Sequence, residues 1–574
     1  MSADVTSRPL DGFFDDMLER PLSRRRLLRW GRDLGLAGAA SALLSACGSA
    51  AATGRTLMPT ADMLPNPPNR LVMLIIDAGR PDYLGYTELP HIRALKNRGT
   101  FYDRAWCGQM EATTPASHAS LGTGCFPCSD GGILGFWWED PVTGTTYNSV
   151  PLDGTDPDSL SVLIGDSGAP SMAEYLKRSD ARAKVYTASG QKFYAADAIG
   201  GPHADYISYY SKNGAGDWAP TCIEGHGLPA SLLEKRALAP SADSLKLGHQ
   251  DALVGELALD VIRKERPRIV ALNLPEMDWP VAHLEGGPLA PTSVKTVMRN
   301  ADRVLGKIIN EYKRLGMFDE TVFMLLGDHG VTPYERFVDG HQIKAAIESV
   351  AVPISFDSNT ACYAWLETPG AASVAASAIE NAGVTNLGGV YYLVESNGRR
   401  SYLAAPATAA HLHPTLDAAH RYLLQTMAGS NAPHVVCMYP ERTGTLGAGG
   451  KWKWLGDHGG VSWGSQGIPL IIAGPGVKQN HVSHFPARLV DIAPTAMRLL
   501  GIPYPQADGV VLADAQTSPN IIDQQRQRYV ARYLVPYAAS LRRQSAIEVQ
   551  GLPAMVPRKP RHASGRVIAL GPGY

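Results

Sequence analysis

The stretch "EATTPASHASLGTG" (111–124) gathers Thr113, Thr114, Ser117, Ser120 and Thr123 around one histidine, His118. A hydroxyl becomes a nucleophile only when a base or a metal ion loosens its proton. Residues suited to that task lie elsewhere in the chain: Asp77, Glu276, Asp278, His283, Asp328, His329 and His458. Carboxylate oxygens and imidazole nitrogens together make a donor set for divalent ions such as zinc. The stretch also fits a plain Thr- and Ser-rich turn into a helix, and one carboxylate at a strand end is commonly a cap or turn former.

Only tertiary structure can bring such residues together, and short apolar runs indicate how. "LVMLII" (71–76), "IVALNL" (269–274), "TVFMLL" (321–326), "HVVCMY" (434–439) and "IPLIIAG" (468–474) have the length of buried parallel strands. Between two of the runs, Val294, Val297, Met298, Ala301, Leu305, Ile308, Ile309, Tyr312 and Leu315 recur at helical spacing over 293–315. Alternating strands and helices predict an α/β fold with a mostly parallel sheet covered on both faces. Ligands of such sheets bind beyond the carboxyl ends of the strands. Asp77 follows the first run, Glu276 and Asp278 the second, and Asp328-His329 the third after one glycine.

The 574 residues are 45% hydrophobic and 19% charged, with a net charge of -1, which excludes a disordered chain and gives no electrostatic surface for nucleic acid. The 58 Gly and 42 Pro predict many tight turns. "SRRRLLRWG" (23–31), followed by a small, mildly apolar run ending in Leu44-Ser45-Ala46-Cys47, resembles a twin-arginine export signal joined to a lipoprotein cleavage box. It implies a lipid on Cys47 and an exported protein tethered outside the cytoplasmic membrane or in the periplasm. Of the six remaining cysteines, Cys125-Phe-Pro-Cys128 has the spacing of half a zinc site but no second pair follows, so disulfides or buried thiols are expected.

Counting from Thr114 finds His118 four residues on and Thr123-Gly124 at nine and ten, whereas counting from Thr113 misses all three. With "LIIDAGRPDYLG", "LPEMDWPVAHLEGGP", "LLGDHGVT" and "GDHGGVSWGSQGIPLIIAGPG", these motifs resemble the alkaline phosphatase superfamily, in its type I phosphodiesterase/nucleotide pyrophosphatase branch. The resemblance implies an alkaline-phosphatase-like three-layer fold with an inserted subdomain. It also implies hydrolysis of phosphate esters through a phosphothreonine on Thr114, with two divalent ions, zinc in type. Asp77, Asp328 and His329 with Thr114 would hold one ion, and Asp278, His283 and His458 the other. Two departures stand out: Pro115 follows the threonine directly instead of one position later, and Asp278 and His283 are five apart instead of four. Lys192 falls where some phosphatase relatives contact phosphate, without their accompanying Arg, and is read mainly as a surface lysine and only secondarily as a substrate contact. "GGILGFWWED" lacks the Asn of diesterase relatives, so monoester and diester both stand; its Phe136, Trp137 and Trp138 offer stacking faces for an aromatic leaving group or the packing of a lid.

The expected organisation is a signal at 1–47, a tether at 48–68, a core at 69–334 and 451–515 interrupted by a subdomain at 335–450, and a helix and tail at 516–574. Rival readings are a sulfatase or phosphonate hydrolase on the same fold, and a non-catalytic envelope lipoprotein. "TPASH" has Thr at the nucleophile position where a sulfatase has Cys or Ser, and the full ligand set speaks against a decayed site.

Overall fold

The structure is a computed structural model and describes residues 67–134, 137–139, 146–148, 159–212, 218–234, 247–445, 454–504, 506–550 and 552. The proposed signal with Cys47, most of the tether, Phe136 and the basic tail lie outside the described residues, and Trp137 and Trp138 are described by their backbone alone.

A nine-stranded sheet runs through the core in the order His481–Ser483, Gly99–Tyr102, Leu470–Ala473, Thr321–Gly327, Arg70–Ile76, Ile269–Leu274, Val185–Ala188, Tyr206–Lys212 and Trp218–Cys222. Five of its eight pairings are parallel. Successive side chains of the central strand feed opposite layers, with Leu71, Met73 and Ile75 in one core and Val72, Leu74 and Ile76 in the other. Burying each such side chain contributes about 1.5–3 kcal/mol, which explains why the run is continuously apolar. Helices Pro291–Arg314 and His249–Glu265 cover the second layer, while Thr114–Thr123, Phe193–Gly200 and Ile492–Leu499 cover the first. The expected three-layer α/β architecture is thus present.

Two of the five apolar runs differ from the parallel strands expected of them. Leu470–Ala473 lies in the main sheet but antiparallel to both neighbours. Val435–Met438 belongs to a separate five-stranded antiparallel sheet, ordered Pro353–Ser358, Ala361–Leu366, Val435–Met438, Gly389–Ser396 and Arg399–Ala404. A continuous apolar run reports burial on both faces, and strand direction leaves no mark on it. The six cysteines beyond Cys47 are free thiols, so Cys125 and Cys128 form no disulfide. Among the described residues no helix is long and apolar enough to cross a membrane.

The three central strands end level, because Ile76 pairs with Leu274 on one side and Gly327 on the other. Whatever follows these strands therefore emerges side by side.

Candidate active site

Asp77 leaves the first strand directly, Asp328 and His329 leave Thr321–Gly327, and Asp278 leaves Ile269–Leu274 after one short turn, Pro275–Met277. His283, five residues beyond Asp278, reaches the same place because the chain makes a wide π-type turn over Asp278–Ala282, with the His283 amide donating to the Asp278 carbonyl. The spacing that departs from the family pattern is absorbed by that turn. Glu276 stays out of the cluster. Its carboxylate accepts from the amides of Gln250 and Asp251 at 3.3 and 3.4 Å, serving the first turn of helix His249–Glu265, and burial raises it to about 7.

Thr114 opens the buried helix Thr114–Thr123, with Thr113 extended before it and Gly124 in the left-handed conformation after it. Pro115 suits this first turn, where no amide hydrogen is needed. The first helical bond runs from Ser117 N to the Thr113 carbonyl, so the Thr114 and Ala116 amides lie ahead of it. Thr114 Oγ1 stands 3.1 Å from His329 Nε2, 3.1 Å from Lys192 Nζ and 3.4 Å from Asp77 Oδ1. The Thr113 hydroxyl is buried without a hydrogen-bond partner. His118, on the same helix, points Nδ1 at the Thr114 carbonyl at 2.9 Å and lies 3.5 Å from Asp328. Burial pushes it down to about 3, so it is a neutral packing residue of the helix.

Two groups of side chains present convergent ligand atoms: Asp278, His283 and His458, and Asp77, Asp278 and His329. Asp278 belongs to both. Its Oδ2 is 3.3 Å from His283 Nε2 and its Oδ1 is 3.5 Å from His458 Nε2. Asp328 stands beside the second group, with Oδ1 taking the amides of Ala78 and His329 and Oδ2 3.3 Å from His329 Nε2. The imidazoles have fixed tautomers. His329 Nδ1 donates to the Gly330 carbonyl at 2.9 Å and His458 Nδ1 to the Ala112 carbonyl at 3.1 Å, which leaves each Nε2 lone pair facing the carboxylates. Asp457 is buried, takes the His458 amide and lies 3.7 Å from His283 Nδ1.

Lys192 is not at the surface. It is 2% exposed, and its ammonium bonds Asp278 Oδ2 at 2.6 Å and Asp77 Oδ1 at 2.9 Å, tying the two groups together. The lysine precedes the short buried helix Phe193–Gly200, and only the packing of that helix against Thr114–Thr123 carries it inward.

Electrostatics describe a pocket short of positive charge. Burial raises Asp77 to about 6 despite Lys192, and raises Asp328 well above the usual carboxylate range with help from Asp77. Asp278 is also buried, yet His283 and Lys192 outweigh that and hold it well below the usual range. Burial drives His329 to about 3, and burial with the His329 neighbour drives His458 well down, so both rings are neutral donors of a lone pair. His283 differs: burial lowers it, but Asp278 and Asp457 outweigh that and raise it, so against three carboxylates the site has the Lys192 ammonium and this one raised imidazole and is still short of positive charge in a water-poor pocket. Asp278 Oδ1 and Asp328 Oδ2, both buried, accept no hydrogen bond. Unsatisfied acidic oxygens facing fixed imidazole lone pairs are the chemistry of a divalent-cation site, and the residues fit one.

Asn273 was not singled out by motif: it is the one polar residue inside an apolar strand, and it donates to Asp77 Oδ2 at 2.9 Å. Tyr334, which donates to Asp457 Oδ2 at 3.2 Å, had no local signal at all.

Comparison with known proteins agrees with this geometry. The family described as type I phosphodiesterase / nucleotide pyrophosphatase matches residues 71–383. An uncharacterised pyrophosphatase/phosphodiesterase of Schizosaccharomyces pombe is 24% identical over 264 residues, covering 46% of this chain and 45% of that protein, so the chain spans about half the length of this curated relative. Among solved structures, murine ectonucleotide pyrophosphatase/phosphodiesterase 5, as an inactive variant in complex with AMP, superposes with a TM-score of 0.53 at 15% identity, covering 77% of this chain and 97% of the other. The wild-type alkaline phosphatase PafA superposes with a TM-score of 0.61 at 15% identity, covering 79% and 99%. These superpositions speak for the fold, and the family match spans more than half of the sequence. With three level strand ends delivering its acidic and imidazole groups around a helix-borne threonine, the chain belongs to the type I phosphodiesterase/nucleotide pyrophosphatase family, on an alkaline-phosphatase-like fold.

Proposed function

We propose that this protein is a two-metal hydrolase of phosphate esters that works through a phosphothreonine on Thr114. The observation that carries this reading is the position of Thr114 Oγ1, within 3.1–3.4 Å of His329, Lys192 and Asp77, while the Thr113 hydroxyl makes no hydrogen bond. Asp77, Asp328 and His329 with Thr114 would hold one divalent ion, and Asp278, His283 and His458 the other; the mixed nitrogen and oxygen donors favour zinc. Bound there, the ions supply Lewis-acid activation of the hydroxyl and stabilisation of the leaving oxygen.

The protein's own residues do the rest. Thr114 Oγ1 attacks phosphorus as the bond to the leaving oxygen breaks, and water later cleaves the phosphothreonine to release phosphate or a monoester and restore the hydroxyl. Lys192 brings positive charge to within 3.1 Å of the attacking atom, where phosphoryl oxygens must gather. The Thr114 and Ala116 amides at the helix start add the positive end of the helix dipole. Nucleotide esters are the favoured substrate class, supported by the family and by AMP in the murine neighbour. Segment 335–450 is assigned the shaping of the pocket.

The test uses protein beginning after Cys47 and loaded with zinc. Hydrolysis of p-nitrophenyl phosphate, bis-p-nitrophenyl phosphate and p-nitrophenyl sulfate is compared between wild type and Thr114→Ala. Turnover of a phosphate ester, lost in T114A with the fold intact, is expected; turnover of the sulfate alone, or undiminished turnover by T114A, sinks the reading. The N-terminal motifs extend the proposal to an exported protein anchored by a lipid on Cys47. Labelled fatty acid should enter the full chain and not the Cys47→Ala variant.

A further inference from the structure

Asn273 sits 1% exposed in the strand Ile269–Leu274, whose other residues are apolar and buried. A leucine would suit that environment better, because the Asn273 Oδ1 is buried and accepts no hydrogen bond, which is costly. What the amide does on its other side offsets this. Its nitrogen carries two hydrogens, and both are spent: one on Asp77 Oδ2 at 2.9 Å and one on Ser189 Oγ at 3.1 Å. Turning the amide over would set a carbonyl oxygen against the Asp77 carboxylate, so this orientation alone is stable.

The two bonds run to different parts of the site. Holding Asp77 by Oδ2 leaves Oδ1 to face Thr114 at 3.4 Å, Lys192 at 2.9 Å and His329 Nε2 at 3.5 Å. Ser189 begins the loop that delivers Lys192, and a second tie, from Gln191 N to Gln250 Oε1 at 2.9 Å, secures the same loop. A Cβ on Gly190 between them would lie 2.1 Å from Gln250 Oε1 and 2.7 Å from Pro275 Cγ, so a side chain there would push against this tie.

We propose that Asn273 is a positioning residue that fixes the rotamer of Asp77 for metal binding and, through Ser189, the loop that carries Lys192. The proposal rests on the two-metal reading above and adds a residue that the motifs do not contain. Carboxylate–donor contacts of this kind around a metal ligand typically change affinity by about 10–100-fold when removed.

The test is calorimetric titration of zinc into metal-stripped protein, with thermal melting as a check on folding and kcat and KM measured separately. Wild type should take up two ions. In Asn273→Ala one of the two binding events should weaken by about 10–100-fold while the other is unchanged. In Ser189→Ala both binding events should stay as in wild type while KM for the phosphate ester rises. Should N273A fail to melt cooperatively, Asn273→Ser carries the test, because its hydroxyl is too short to reach Asp77 from the strand. Wild-type zinc binding and an unchanged kcat and KM in a folded N273A overturn the proposal, as does loss of the folded state in both N273A and N273S, which would make the residue purely structural. If wild type itself takes up no ion, the two-metal reading falls, and this proposal falls with it.

Discussion

The chain contains the tetrapeptide Gly-Asp-His-Gly twice, at 327–330 and at 456–459, and the two copies show how one local design is put to work in two ways. In both, the aspartate Oδ1 accepts the amide of the following histidine, at 2.8 Å in the first and 2.9 Å in the second. In both, the histidine Nδ1 is tied to a backbone carbonyl and Nε2 turns to the carboxylates, and the two rings stack with centroids 3.7 Å apart. The difference lies in what holds each copy. The first ends a fully buried strand, and its histidine uses the carbonyl of the next residue, Gly330. The second pairs Gly456–Asp457 with Thr332–Pro333, and its histidine depends on Ala112, 346 residues away beside the helix Thr114–Thr123. One copy is made locally, and the other only when the molecule is assembled.

The sharpest way to break this comparison is to remove the two rings separately. His329→Ala and His458→Ala should each lower kcat/KM by about 10²–10³-fold or more, the range seen when a group stabilising transition-state charge is lost. On the two-metal proposal each should also bind one ion fewer by elemental analysis; an unaffected variant would show that its ring is packing alone.

The aspartates should part company next. Asp328→Asn removes charge from the cluster and is expected to cost about 10–100-fold in activity, while Asp457→Asn keeps an oxygen for the His458 amide and should cost less. Equal losses would mean that Asp457 is a ligand in its own right.

The closing glycines separate the copies through stability. A Cβ on Gly330 would lie 2.1 Å from the Gly464 carbonyl, so Gly330→Ala should lose more than about 2 kcal/mol and cooperative melting with it. Gly459 has a φ of +92° and its nearest contact for a Cβ is the Thr360 hydroxyl at 3.2 Å, so Gly459→Ala should cost only about 1–2 kcal/mol. Chemical denaturation reads both.

Acid should treat the two rings alike. Both are held neutral in the folded state, His329 at about 3, whereas the unfolded chain protonates near 6.5. Below pH 6.5 the unfolded state therefore binds more protons at these sites, and their contribution to stability falls as pH drops toward 3. In metal-free protein the stability difference between wild type and His329→Asn should shrink by about 1 kcal/mol per pH unit over that window, and His458→Asn should behave similarly. A difference that grows on acidification would mean that the rings are charged when folded.

Much of this molecule can be read without coordinates. The apolar runs ending at Ile76, Leu274 and Leu326 each announce a buried strand, and the acidic residues behind them announce a shared edge, because parallel α/β sheets place their sites there. The spacing of Thr114 to His118 and Thr123-Gly124 matches the pattern of the family the sequence resembles, and that resemblance is what favours it over Thr113. Local sequence was silent about the rest for identifiable reasons. Lys192 looks like any lysine, and only the packing of its helix against Thr114–Thr123 and the salt bridges to Asp77 and Asp278 bury it. The five-residue spacing of Asp278 and His283 reads as a mismatch until a π-type turn closes it. Strand direction at 470–473 and the separate sheet around 435–438 are invisible to hydrophobicity.

What the sequence determined by itself was the set of chemical groups and the strands that carry them, because burial writes apolar periodicity into every element. What only the tertiary structure decided was which groups share a site: Asp278 in two groups at once, Lys192 between them, His458 fixed by Ala112 and Asp77 fixed by Asn273. Those pairings join residues up to 346 positions apart, and contacts at that range leave no pattern in the local sequence because their energy comes from desolvated charges meeting after the chain has folded.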